Sequence, residues 1–313
     1  MFNSERIGRK FASEDRFLSE AQAAIDGFSF ERRKQPDGQY RFIYPGYSAL
    51  VHQRPREWKL GTTKEQRLAP YEGPAIAILG FLIRSFDIKT AYDVGAGRGY
   101  HSILMATVDG HPVHVHAFEM QPHACDGMLS TLRENPQAAE YLHPHHAGLS
   151  DHHEGERTLW FSRRKLFESK PAAGSYGESW WRRLKFRLLG RHTAGELREV
   201  SILLTSIDRF AKDTGSPPDL IKLDVDGYEA LVVPGAMESL SARRPFLLFE
   251  LHKDELMARF GVGRKDVVAP LFDLGYSAAL ITDHNDLSAS SLRKVARDDP
   301  AFDAQATQMY LFY

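Results

Sequence analysis

The chain carries one cysteine, Cys125, in 313 residues, so it cannot close an internal disulfide. That fits a reducing compartment better than a secreted one. No apolar stretch approaches the ~20 residues that span a bilayer. The first residues, "MFNSERIGRKFASEDRF", lack the apolar core of a signal peptide, and the expected location is the cytoplasm. Net charge is absent too, at −1, so no global field recruits nucleic acid, and no nucleic-acid partner is expected. Internal repeats, low-complexity tracts and HExxH-type zinc spacing are also missing. Nine of the 14 histidines crowd between positions 111 and 153, but several lie on one strand and the cysteine lies elsewhere, so they are expected at the surface rather than on zinc.

What the chain does have is an alternation of apolar runs. Residues 1–73 are polar and aromatic and read as an accessory cap, with a short helix at 17–28 and a strand–turn–strand at 40–53 around Pro45 and Gly46. From 74 the rhythm becomes regular. Helical spacing at 74–86 leads into the strand "KTAYDVGA" (89–96), a helix beginning at 101 and a second strand at 111–119. A helix at 123–135 and a third strand at 143–151 come next. Strands at 219–227 and 245–252, a helix at 267–276 and strands at 276–282 and 306–313 complete the pattern. This predicts an α/β domain over 74–313 with about seven strands, mostly parallel and covered on both faces. An insertion at about 160–198 breaks the rhythm. Its stretch "ESWWRRLKFRLLGRH" (178–192) reads either as an aromatic helix packed on the core or as a basic amphipathic surface for an anionic substrate or peripheral membrane contact.

The chemistry concentrates at "YDVGAGRGYH" (92–101). A strand that ends in glycines and enters a helix offers free backbone N–H groups and lets a ligand approach the backbone. The nicotinamide pattern is G-x-G-x-x-G; here the third glycine comes one residue early, which speaks against an oxidoreductase. Asp93, two residues before Gly95, would repel a pyrophosphate but suits a ligand with a cationic end, as in S-adenosylmethionine. Glu119 closes the second strand 24 positions after Gly95, where a carboxylate can accept both ribose hydroxyls.

"AYDVGAGRGYHS", "VHAFEMQP" and "LIKLDVDGYEALVVPGA" together resemble the FkbM-type S-adenosylmethionine-dependent methyltransferases over about residues 89–252. The resemblance implies a class I, Rossmann-like methyltransferase fold. It places Asp93, Gly95, Ala96, Gly97 and Gly99 near the methionine part, Glu119 on the ribose and the stretch 147–151, with Ser150 and Asp151, by the adenine; Tyr100, Ser102 and Met120 complete the expected cofactor-binding set. Met120-Gln121 stands where the family has Pro-Asn, and Asp226 replaces a glutamate.

Residues two apart on a strand share a face. Lys222 and Asp224 therefore end the fourth strand on one side, and Glu250 and His252 end the fifth. These four are the catalytic candidates. Either His252 or Asp224 serves as general base for a substrate hydroxyl, or Asp224, Asp226 and Glu250 form an oxygen site for Mg²⁺. Asp224 is also expected beside the cofactor, and Asp226 and Glu229 alternatively serve as caps of the next helix. The expected activity is O-methylation of a sugar, glycan or secondary metabolite; a non-catalytic protein that keeps the fold is the alternative.

Overall fold

The computed structural model describes residues 3–34, 40–53, 70–162, 165–167, 169–171 and 197–313. The stretch 178–192, singled out above, lies outside the described residues.

Helices α1 (Asn3–Phe11) and α2 (Glu14–Asp26) open the chain. A small antiparallel sheet follows, of β1 (Glu31–Lys34), β2 (Tyr40–Ile43) and β3 (Leu50–Gln53). Next come α3 (Gly73–Ser85), β4 (Thr90–Val94), α4 (Tyr100–Met105), β5 (His114–Glu119), α5 (Pro122–Glu134) and β6 (Leu142–Leu149). β7 (Gly155–Ser162), β8 (Lys165–Phe167) and β9 (Leu197–Thr205) form an antiparallel extension. The remainder is α6 (Ile207–Thr214), β10 (Leu220–Leu223), α7 (Glu229–Val232), α8 (Met237–Ala242), β11 (Phe246–Leu251), α9 (Asp254–Met257), α10 (Arg264–Asp273), β12 (Ala278–Ile281), β13 (Leu292–Val295) and β14 (Gln308–Phe312).

The main sheet runs β13-β12-β14-β11-β10-β4-β5-β6-β9-β7-β8. The seven strands expected from the sequence are all in it, as β4, β5, β6, β10, β11, β12 and β14. Five of them (β6, β5, β4, β10, β11) are consecutive and parallel. The four further strands widen the two edges, and the outermost carry exposed residues that hide their periodicity, as in β13, where Arg293 and Lys294 face solvent. β7 and β9 are paired over Gly155–Ser162 and flank the insertion, so its base is a hairpin added to β6.

Strand residues alternate between two apolar layers. Ala91, Leu220, Phe246 and Leu248 pack with α3, α4 and the N-terminal helices. Tyr92, Ile221, Leu247 and Phe249 pack with α6, α8 and α10 on the opposite face. Phe17 of α2 is fully buried and meets Phe246 and Tyr313, so the N-terminal helices share the core of the sheet. Every parallel strand delivers its carboxyl end to one edge, and the loops there assemble the site.

One correction concerns the histidines. They do not all lie free at the surface. His114 and His116 of β5 interleave with His143 and His145 of β6, with ring centroids 5.0–5.4 Å apart, and Phe118 continues the stack 5.0 Å from His145. Phe210 of α6 covers His116 and His145 edge-on. Register produces this: alternate residues of two parallel strands face the same layer. Burial, and then the neighbouring histidines, lower the pKa of His116 and of His145 to about 4.

An unfolded histidine titrates near 6.5. Between about pH 6.5 and 4 the unfolded chain therefore binds protons that these two folded imidazoles refuse, and stability falls as pH drops through that window. Thermal midpoints measured across it should decline below pH 6.5. His145→Phe, which keeps the stack on Phe118, should flatten the decline; an unchanged slope would show that the ladder is not its source.

Candidate active site

The site forms where β5, β4, β10 and β11 end. Gly95 follows β4 at φ +81°, and a Cβ there would lie 1.7 Å from the Asp224 carbonyl oxygen, so the loop touches the end of β10 and only glycine fits. Gly97 at φ +57° has nothing within 4 Å of the place where a Cβ would stand; the space above the loop is open to a ligand. Gly95 and Ala96 both donate their N–H to the Phe118 carbonyl, which ties the loop to β5.

Glu119, at the tip of β5, accepts the Gly97 N–H at 2.8 Å through Oε2 and the Gln121 N–H at 2.6 Å through Oε1. The carboxylate keeps lone-pair capacity for a ligand hydroxyl. Met120 lies against Gly148 of β6, and Ser150 and Asp151 follow β6 directly. Asp151 is exposed and bound to Ser150 Oγ at 2.9 Å and His152 Nδ1 at 2.6 Å. These groups line the β5–β6 side of the loop, the side expected to take ribose and adenine.

On the other side of β4 lies a buried ion chain. Asp93 is 1% exposed; its Oδ2 accepts the Ser102 hydroxyl at 2.5 Å, and Lys222 Nζ stands 4.0 Å from its Oδ1. Lys222 is 2% exposed and donates to Asp224 Oδ2 at 3.4 Å. Burial alone would lower the lysine pKa, but Asp224, Asp93, Glu72 and Glu250 outweigh it and hold Lys222 charged. Burial pushes the Asp93 carboxyl up, against the pull of Lys222 and Ser102.

Three expectations change here. Lys222 is too enclosed to meet an acceptor and serves as a tether between β4 and β10. Ser102 is fully buried and spends its hydroxyl on Asp93. The Tyr100 hydroxyl pairs with that of Tyr44, next to β2, rather than turning to the loop.

Beyond Asp224 the strand ends converge. One ligating atom from each of Asp224, Glu250 and His252 lies within 4.8 Å of the others, the one such group of three among the described residues. His252 Nε2 is 3.8 Å from Asp224 and 3.4 Å from Asp226, and its Nδ1 is 2.7 Å from Glu229 Oε1. Glu229, in the first turn of α7, has no exposed surface. Its α7 position reads as helix capping in the sequence; nothing local betrays that it reaches the end of β11, 23 residues on.

Burial lowers the His252 pKa, but hydrogen bonds to Asp226 and Glu229 and the charges of Glu229 and Asp224 raise it to about 10. A base must be unprotonated, so an imidazole charged at neutral pH does not fill the role expected of His252 in the chain as it stands. Asp226 stands apart from the three-residue group: its side chain is 88% exposed, with φ +50°. Burial, then Asp224 and Glu72, push the Glu250 carboxyl up to about 9. The site holds more carboxylates than cations.

Lys222 is the test of this electrostatic design. Lys222→Met leaves the buried Asp93 carboxylate facing the partly exposed Asp224 without compensation and should cost about 3 kcal/mol in urea unfolding. Adding Asp93→Asn to that variant should recover part of the loss; strict additivity of the two changes would remove the coupling.

The sequence profile of the methyltransferase FkbM domain matches residues 93–277, more than half of the chain. No curated protein sequence matches. Among solved structures, the methyltransferase FkbM from Methylobacillus flagellatus KT is 16% identical, with a TM-score of 0.42; the alignment covers 80% of this chain and 56% of that one, so this chain spans little more than half of its length. Precorrin-6y C5,15-methyltransferase from Geobacter metallireducens GS-15 is 10% identical, at TM-score 0.38 over 82% of this chain and 94% of its own. Aeropyrum pernix fibrillarin, solved with bound S-adenosyl-L-methionine, is 14% identical, at TM-score 0.36 over 91% and 98%. None of the three is close enough to lend a residue role or a substrate. The match over 93–277 contains the glycine loop, Glu119 and the ends of β10 and β11, and by it the chain belongs to the FkbM methyltransferase family.

Proposed function

We propose that the chain transfers the methyl group of S-adenosyl-L-methionine to a hydroxyl on a sugar, glycan or secondary metabolite. One observation carries this reading. Glu119 and the open Gly97 lie on one side of β4, and Asp224, Glu250 and His252 converge on the other. A cofactor laid across the loop from Glu119 brings its sulfonium to the ends of β10 and β11.

Transfer breaks the sulfur–methyl bond as the oxygen–methyl bond forms, and positioning at about 3–3.5 Å supplies much of the acceleration. The hydroxyl proton passes to a carboxylate. Asp224, whose side chain is 23% exposed beside the glycine loop, is the carboxylate placed to accept that proton, whereas Glu250, with its carboxyl pushed up to about 9, is the poorer acceptor at neutral pH. Asp224 faces Lys222 Nζ at 3.4 Å and His252 Nε2 at 3.8 Å, and Glu250 faces His284 Nε2 at 3.5 Å. His252, clamped by Glu229, orients Asp224. A second reading has support from the same cluster: Asp224, Glu250 and His252 offer two carboxylates and an imidazole backed by Glu229, an arrangement that suits a divalent cation such as Mg²⁺ or Mn²⁺. Such an ion, when bound, lowers the pKa of a coordinated hydroxyl.

Calorimetry with S-adenosylhomocysteine tests the cofactor. Wild type should bind it in preference to NADH, and Glu119→Ala should weaken binding about 10- to 100-fold by removing hydrogen bonds to a charged acceptor. NADH binding without S-adenosylhomocysteine binding would refute the assignment. For turnover of an acceptor found by screening hydroxylated compounds, Asp224→Asn should lower kcat about 10²–10⁴-fold, a larger factor than any loss of S-adenosylhomocysteine affinity. Loss of turnover in EDTA, restored by Mg²⁺ or Mn²⁺, would select the cation reading instead.

A further inference from the structure

One arginine at the end of β11 breaks several local rules at once. Arg264 opens α10 and is 1% exposed. A cation in the first turn of a helix opposes the helix dipole. The guanidinium meets neutral oxygens rather than a carboxylate, and its buried Nε has no hydrogen-bond partner among the described residues. A buried charge and an unmade hydrogen bond both cost stability. Rules broken together in this way mark positions kept for another purpose.

The purpose lies in what the arginine holds. Nη1 donates to the carbonyl oxygens of Leu251 and His252, both at 3.1 Å, and to that of Ala306 at 2.6 Å. Nη2 donates to Gln308 Oε1 at 2.8 Å and reaches the Tyr310 hydroxyl at 3.4 Å. The Arg264 backbone N–H donates to Asp254 Oδ1 at 2.7 Å, at the start of α9. One residue therefore ties the end of β11 to α9, to α10 and to the run into β14.

His252 needs such a tie. The pairing of β11 with β10 stops at Phe249, and that with β14 stops at Leu251. His252 stands past both ladders, so neither sets its backbone. Its ring nevertheless lies 2.7 Å from Glu229 and 3.8 Å from Asp224. A shift of about 1 Å would break the first of these contacts. The planar arginine fork can hold successive carbonyls in fixed directions, whereas a lysine ammonium is a single point of charge on a flexible stem.

We propose that Arg264 is a positioning residue: by holding the carbonyls of Leu251 and His252 it sets the His252 imidazole against Glu229 and Asp224. It touches no reacting atom. Its effect on methyl transfer rests on the activity proposed above; its effect on His252 does not.

Proton NMR of the full chain tests this. The Nδ1 proton of His252, held on Glu229 in a buried site, should give a downfield signal, identified by its loss in His252→Gln. In Arg264→Lys that proton should exchange with water at least about 10-fold faster. Arg264→Gln, which removes the charge as well, should lose the signal. Phe17→Leu, a core change in α2, should lower the thermal midpoint and leave the signal as it is. An unchanged signal and exchange rate in Arg264→Lys would overturn the proposal, and so would an equal acceleration in Phe17→Leu, because the signal would then follow general stability. With the acceptor found by screening, Arg264→Lys should lower kcat about 10- to 100-fold and change S-adenosylhomocysteine affinity by less than about twofold. Wild type without turnover would count against the proposed activity, and the proton signal would then decide the role of Arg264 by itself.

Discussion

Lys222 is the interaction on which the site depends. It is buried between Asp93 of β4 and Asp224 at the end of β10, and it makes tolerable two carboxylates that the sheet forces into close quarters. The same neighbourhood leaves no room for a side chain at Gly95, because the glycine loop lies against the Asp224 carbonyl. One cation thus fixes the distance between the cofactor loop and the strand end where an acceptor would be held. A buried lysine of this kind is costly to strip of its partners, which explains why so short a stretch of two strands carries three ionisable groups.

The second theme is a deficit of positive charge. Lys222 and the protonated His252 face Asp93, Asp224, Asp226, Glu229, Glu250 and Glu72, and the raised pKa of Glu250 records the imbalance. Carboxylates crowded together favour a visitor that brings positive charge. The sulfonium cofactor supplies some, and a divalent cation at Asp224, Glu250 and His252 would supply more. An anionic acceptor group would find this edge of the sheet hostile.

Much of this was legible in the sequence. The glycine spacing, the acid at the end of the second strand and the parallel α/β order all follow from local pattern, and the pairing of β4 with β10 follows from the order. What local pattern cannot show is partnership across long separations. Glu229 looks like a helix cap, yet it turns His252 into a cation. Ser102 looks free beside the loop, yet it serves Asp93. Glu72 sits in a polar stretch with no period, and only the fold brings it to His101. The histidines of β5 and β6 look like a surface cluster until parallel register stacks them. The hairpin β7–β9 escaped because exposed polar residues run together at the start of each strand, over 156–158 and 198–199, and the insertion parts the strands.

The most direct measurement is a crystal structure of the chain with S-adenosylhomocysteine. The ribose hydroxyls should lie on Glu119, and the sulfur should face the ends of β10 and β11 near Asp224. A cofactor bound away from the glycine loop, or lying across it in the opposite sense with its adenosine towards Asp224, would contradict this arrangement.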